Sequence, residues 1–92
     1  MKHMDTMAPW EVLSHIVDHP TEFNAGASNK RSQYVDAALL AGVQSLPDGK
    51  HKRALNYILC HPGALLCFGG TDVVRPALLE AINLLRTKEA RA

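Results

Sequence analysis

The chain has 92 residues, 47% of them apolar, and a net charge of +1 from ten Lys and Arg against nine Asp and Glu. That is one domain's worth of chain, too apolar for a disordered segment, and long enough to bury roughly 60–70% of the surface its unfolded form exposes. The balanced charge excludes a globally basic nucleic-acid binder, so any electrostatic role must come from local clusters. No apolar run approaches the length of a membrane span, and the opening MKHMDTM has no apolar signal core. The two cysteines, Cys60 and Cys67, sit in apolar surroundings and form no disulfide-dense pattern. The chain therefore reads as cytoplasmic, with no membrane partner. Residues 1–6 read as disordered or as an expression remnant, with the native start at Met4 or Met7.

In chain order, the first helix is expected from about Met7 to His19. Pro9 suits a first turn, where its missing N–H costs nothing. Trp10, Leu13, Ile16 and Val17 give the apolar side, and Asp18-His19-Pro20 ends it, because the residue before a proline avoids the helical region. Thr21 to Ala27 reads as a loop, with Asn24 and Gly26 as turn residues and Phe23 pinning it to the core.

A second helix is expected from Ser28 or Asn29 to Leu46, with Val35, Leu39, Gly42, Val43 and Leu46 as its stripe. A mid-helix glycine costs up to about 1 kcal/mol relative to alanine. Gly42, flanked by Ala38 and Ala41, therefore points to close approach of another backbone, within the chain or across a dimer. Pro47-Asp48-Gly49 is a turn, and Asp48 is placed to cap a third helix, Gly49 to His61, with Leu55, Ile58 and Leu59 inward. After His61-Pro62-Gly63, the run Ala64-Leu65-Leu66-Cys67-Phe68 has no second strand to pair with and reads as a short helical turn.

The clearest helical signal is Thr71 to Arg86. Val74, Leu78, Ala81, Ile82 and Leu85 recur at three- and four-residue steps. Asp72 is placed as N-cap, and Gly69-Gly70 breaks the preceding element. The fold class is accordingly all-α: a compact antiparallel four-helix bundle, with a short extra helical turn between helices three and four, in a single helical domain. Ile16 to Pro20 echoes Ile58 to Pro62, and Ala38-Leu39-Leu40 echoes Ala77-Leu78-Leu79. These echoes fit either a duplicated helical hairpin or two hairpins obeying the same local rules.

Candidate chemistry is sparse. Cys60, His61 and Cys67 lack zinc-site spacing and read as structural, so no metal or other cofactor is expected. His19 and His61 each precede a proline and suit the negative end of a helix. Ser14, His15 and Asp18 make a triplet that any chain with several histidines offers, and Phe68-Gly69-Gly70-Thr71 lacks the phosphate-loop lysine and spacing. No catalytic residue is assigned and no enzyme is expected.

Two functional readings follow. The first is a small protein-binding regulator, adaptor or inhibitor that occludes a partner surface, acting as a homodimer because a thin core gains burial by pairing. Its anchors would be Trp10, Tyr34, Tyr57 and Phe68. The alternative is a helix-turn-helix-like nucleic-acid module. Lys30-Arg31 and Lys50-His51-Lys52-Arg53 crowd helix starts, where cations oppose the dipole and anions are welcome. In a bundle, Lys50, Lys52 and Arg53 would lie near Arg86, Lys88 and Arg91 as one basic pole.

Overall fold

The computed structural model describes residues 7–19, 30–61, 63–68 and 71–91. The expectations for residues 1–6, for the loop carrying Phe23 and for Gly69-Gly70 lie outside them. The helices are α1 (Pro9–Asp18), α2 (Lys30–Ser45), α3 (Lys50–Cys60), the short α4 (Ala64–Phe68) and α5 (Val74–Arg91).

Local chemistry explains where each begins and ends. Pro9 takes the first position of α1. Glu11 reaches back so that its carboxylate accepts the Ala8 N–H at 3.1 Å, one half of a capping box. The ends of α1 and α3 share one hydrogen-bond pattern: the N–H of His19 donates to the His15 carbonyl at 2.9 Å, and that of His61 to the Tyr57 carbonyl at 3.1 Å.

Two expected caps are corrected. The N-cap of α3 is Gly49, with no side-chain cap, and Asp48 instead pairs with Lys52 at 3.5 Å. The backbone at Gly49, φ 157° and ψ −170°, is one that side chains disfavour. At α5, Asp72 is exposed and Thr71 does the capping. The Thr71 Oγ1 accepts the Val74 N–H at 3.3 Å and donates to the Phe68 carbonyl at 2.7 Å. The helix starts at Val74 rather than Thr71 because Pro76 must fall in a first turn, where no N–H is owed to a preceding carbonyl. It then continues past Arg86 to Arg91.

The order of packing is that of an antiparallel bundle. Trp10, at the start of α1, meets Arg86 and Glu89 near the end of α5. His51, at the start of α3, meets Glu80, while Ile58 near its end lies by Val74. Both α1 and α3 thus run against α5, and the tight turn after Ser45 sets α2 against α3. Each of α1 and α3 packs on both α2 and α5, and α2 and α5 also touch each other.

The core follows the expected stripes. Leu13, Ile16, Val35, Leu39, Leu55, Ile58, Leu65 and Leu78 are fully buried, joined by Val12, Ala38, Val43, Leu46, Val74, Ala77, Ala81 and Ile82. Val12 and Leu65 were not read as inward; Leu85 and Leu59 are only partly buried. At the centre stands Gly42. A methyl there would lie 3.2 Å from the Ala81 Cβ, 3.4 Å from a Leu55 methyl and 3.5 Å from a Leu13 methyl. All four long helices therefore converge on one glycine, and the tight crossing expected of it is made within the chain, by α2 on α5.

Gly42→Ala gains up to about 1 kcal/mol of helix propensity but overpacks the crossing, at a typical cost of about 1–3 kcal/mol. Urea unfolding should show a net loss of about 1 kcal/mol, and Gly42→Leu should lose cooperative unfolding altogether. A stabilised Gly42→Ala protein would show that α2 and α5 have room to spare.

Candidate functional site: an apolar cleft between α3, α4 and α5

The cleft arises because α4 is too short to cover its neighbours. Leu65 is drawn into the core, α4 stops at Phe68, and Thr71 ties the chain back before α5 begins. Among the described residues, one side of α3 has no full-length helix against it. Ala54, Tyr57 and Ile58 from α3, Phe68 from α4, and Thr71, Val73 and Val74 from the entry to α5 line a shallow, open cleft of about 360 Å³. That is within the range of small-ligand and anchor pockets.

Its aromatic wall is held in place. The Tyr57 ring stacks on His61, with centroids 4.0 Å apart and planes 20° apart, and meets Phe68 edge-on at 6.5 Å. The Nδ1–H of His61 donates to the Tyr57 carbonyl at 2.9 Å, so the stacking partner is itself fixed at the helix end. This places His61 at the negative end of α3, where an imidazole donor is favourable. Even so, Tyr57 is 48% exposed, Phe68 46% and Val73 63%. Large apolar groups gathered at a concave surface have a different meaning from the same groups scattered singly.

The lining carries no charged side chain, and the charged residues nearest to it in sequence are mostly positive. Arg53 precedes the lining residue Ala54 and stands one turn from Tyr57; Lys50 stands one turn earlier; Arg75 follows Val74. All three are exposed, as is Asp72, the one acid in this stretch. The other charged groups of the α3 start are engaged: Lys52 with Asp48, and His51 with Glu80 across to α5.

Of the four expected anchors, the structure brings Tyr57 and Phe68 together. Tyr34 is half-buried on α2. Trp10 is partly buried and engaged with the end of α5: its indole N–H donates to the Glu89 carboxylate, and the Arg86 guanidinium lies over its ring, 5.1 Å from the centroid. The expected basic pole has a different arrangement. The start of α3 meets α5 at Glu80, roughly 9 Å along the axis before Arg86 at the usual helical rise. Arg86 is occupied with Trp10, and Lys88 is exposed beside it in sequence. Lys30 and Arg31 open α2 and Arg91 closes α5, but their side chains lie outside the described residues. Cys60 and Cys67 are free and exposed, correcting the expectation that they are core cysteines. Ser14 donates to the Trp10 carbonyl of its own helix at 2.9 Å.

Sequence reasoning missed Val73, Ala54 and the His51–Glu80 pair. Val73 precedes the first residue of α5 and so falls outside the helical spacing that marks Val74, Leu78, Ala81 and Ile82. Among the described residues, no helix is long and apolar enough to cross a membrane, and no three His, Cys, Asp or Glu side chains group as metal ligands would. Compared with known proteins, the chain matches no family model, no curated protein and no solved structure.

Trp10 is a clamp between α1 and the end of α5, so Trp10→Ala should cost about 1–3 kcal/mol in chemical denaturation, less than a fully buried tryptophan. Glu89→Gln should shift the Trp10 fluorescence with little change in stability. An unchanged melting curve for Trp10→Ala would show that the indole holds nothing together.

Proposed function

We propose that the protein is a small protein-binding regulator, adaptor or inhibitor that seats an apolar anchor of its partner in the α3–α4–α5 cleft. By doing so it occludes the surface that carries that anchor. The observation that carries this reading is the exposure of Tyr57, Phe68 and Val73 around one concave volume. Aromatic side chains held in place lose little entropy on binding, which is why such groups dominate interface energetics. The free, exposed cysteines support a reducing, cytoplasmic setting. The outward Leu40 and Leu79, 46% and 47% exposed, support self-association as a homodimer.

The test is selection from a displayed library of random helical peptides. Enriched peptides should share a bulky apolar anchor, and their binding should fall at least about 30-fold in Val73→Asp, a loss of roughly 2 kcal/mol or more expected of a central contact. Because Val73 is largely exposed, the melting temperature should not move. Failure to enrich any peptide, or binding indifferent to Val73→Asp and Phe68→Ser, would overturn the reading.

A second reading, a nucleic-acid module, is supported by exposed Lys50 and Arg53 on the outer side of α3, after the turn that joins it to α2. It requires affinity that falls steeply with salt as counterions are released. Under the protein-binding proposal, labelled duplex and single-stranded oligonucleotides should show no tight binding at low salt. Tight binding abolished by salt and by Lys50→Ala/Arg53→Ala would replace the first reading with the second.

A further inference from the structure

We infer that the chain pairs with a second copy of itself through the outer face of α2, the two helices packing antiparallel about a two-fold axis. This deepens the homodimer reading above and rests on it. From Gln33 to Ser45, the exposed positions of α2 are Gln33, Ala37, Leu40 and Gln44. At about 100° per residue, all four fall within an arc of about 60°, centred opposite Gly42. Gly42 faces Ala81 of α5, with Leu55 and Leu13 beside it. The exposed face therefore points away from the centre of the bundle, while α1, α3 and α5 pack on the other sides of α2. Asp36, half-buried at the flank of this face, is the one charged residue between Ser32 and Pro47. The exposed positions of the other long helices do include charge: Asp18 on α1, Arg53 on α3, Arg75 and Lys88 on α5. Leu40, 46% exposed, stands within the uncharged strip.

The order of side chains along the face says what covers it. The steps from Gln33 to Ala37, Leu40 and Gln44 are four, three and four residues, the spacing of a helix-pairing seam. A two-fold axis across α2, midway between Ala37 and Leu40, sets Ala37 against Leu40 of the second copy and Gln33 against its Gln44. Each contact is made twice, as an isologous interface requires of a patch that must complement itself. A large side chain then fills the space over a small one. Amide meets amide at both ends, where each can donate and accept. The glutamines fix the register, as polar seam residues do in coiled coils. Antiparallel pairing also brings opposite ends of the two helix dipoles together. A parallel pair would instead crowd Leu40 on Leu40, leave Ala37 over Ala37 and align like ends of the dipoles. No unrelated partner requires this palindromic order. One seam on a 16-residue helix is a small interface, so the dimer is weak, in the micromolar range.

Sedimentation equilibrium of the full chain, from about 10 μM to about 1 mM, should show a monomer–dimer equilibrium. Leu40→Glu and Ala37→Glu should each weaken it at least about tenfold. Both positions are exposed, so the melting temperature of the dilute protein should change little. Gln33→Lys/Gln44→Glu should tighten the dimer at low salt, because antiparallel pairing sets each lysine against a glutamate, and the gain should shrink as salt is added. Gln33→Lys/Gln44→Lys should weaken it. Weakening by the lysine–glutamate exchange as well would mean parallel pairing and overturn the inference. A dimer dissolved by Leu79→Glu and not by Leu40→Glu would overturn the α2 seam and leave the homodimer reading standing. A monomer at every concentration would overturn both.

Discussion

The approach of Gly42 to Ala81 sets the geometry of everything else. With no side chain at Gly42, α2 and α5 lie close enough for Leu13 of α1 and Leu55 of α3 to reach the same point. Each residue on that point comes from a different helix, so none can be enlarged without displacing the other three. Close packing of this kind leaves little compressible space. It converts a local penalty, a glycine inside a helix, into the condition for a shared centre. In a chain of this length, with a correspondingly thin core, that centre carries a large share of the burial.

A second constraint follows from α4. A longer helix there would cover the outer side of α3 and bury Tyr57 and Phe68. At five residues it supplies Leu65 to the core and then ends, and among the described residues the bundle is left open at one edge. Stability alone would favour closing that edge, since exposed aromatic surface contributes nothing to folding. The basic start of α3 runs in the same direction: no acid occupies its first turn, although the helix dipole would favour one. Both departures from a stability optimum involve α3 and its uncovered side. Local conflicts with folding rules gather where a sequence answers to something besides folding.

The fold was largely legible in the sequence because its helices are written in apolar spacing. Val74, Leu78, Ala81 and Ile82 identified α5 as the organising helix, and it packs on α1, α2 and α3. Gly42 announced its own crossing, since only a close neighbour compensates a glycine in that position. Caps were less legible. Asp72 and Thr71 are adjacent and both can cap, and the choice turned on Pro76, whose requirement for a first-turn position moved the helix start. The cysteines misled because average burial of a residue type says nothing of the face it occupies. Cys60 lies on the outer side of α3 and Cys67 at the end of α4, and both remain in solvent.

The site was legible by half, and the reason is physical. Trp10 and Tyr57 carry the same expectation as aromatic anchors, yet Tyr57 is exposed and Trp10 is partly buried. Trp10 has a polar edge that Glu89 satisfies and a face that Arg86 covers, so both of its binding capacities are spent within the chain. Tyr57 has one face on His61 and an edge on Phe68, which fix the ring but leave nearly half of it exposed. The difference lies in what the end of α5 brings to Trp10 across more than seventy residues of chain. No local pattern around Trp10 encodes Glu89, just as none around Ala54 encodes Val73. Aromatic identity marks a residue as able to anchor; whether it anchors the protein to itself or to a partner is decided by long-range packing, which here closes the α1–α5 end of the bundle and leaves the α3–α4–α5 edge open.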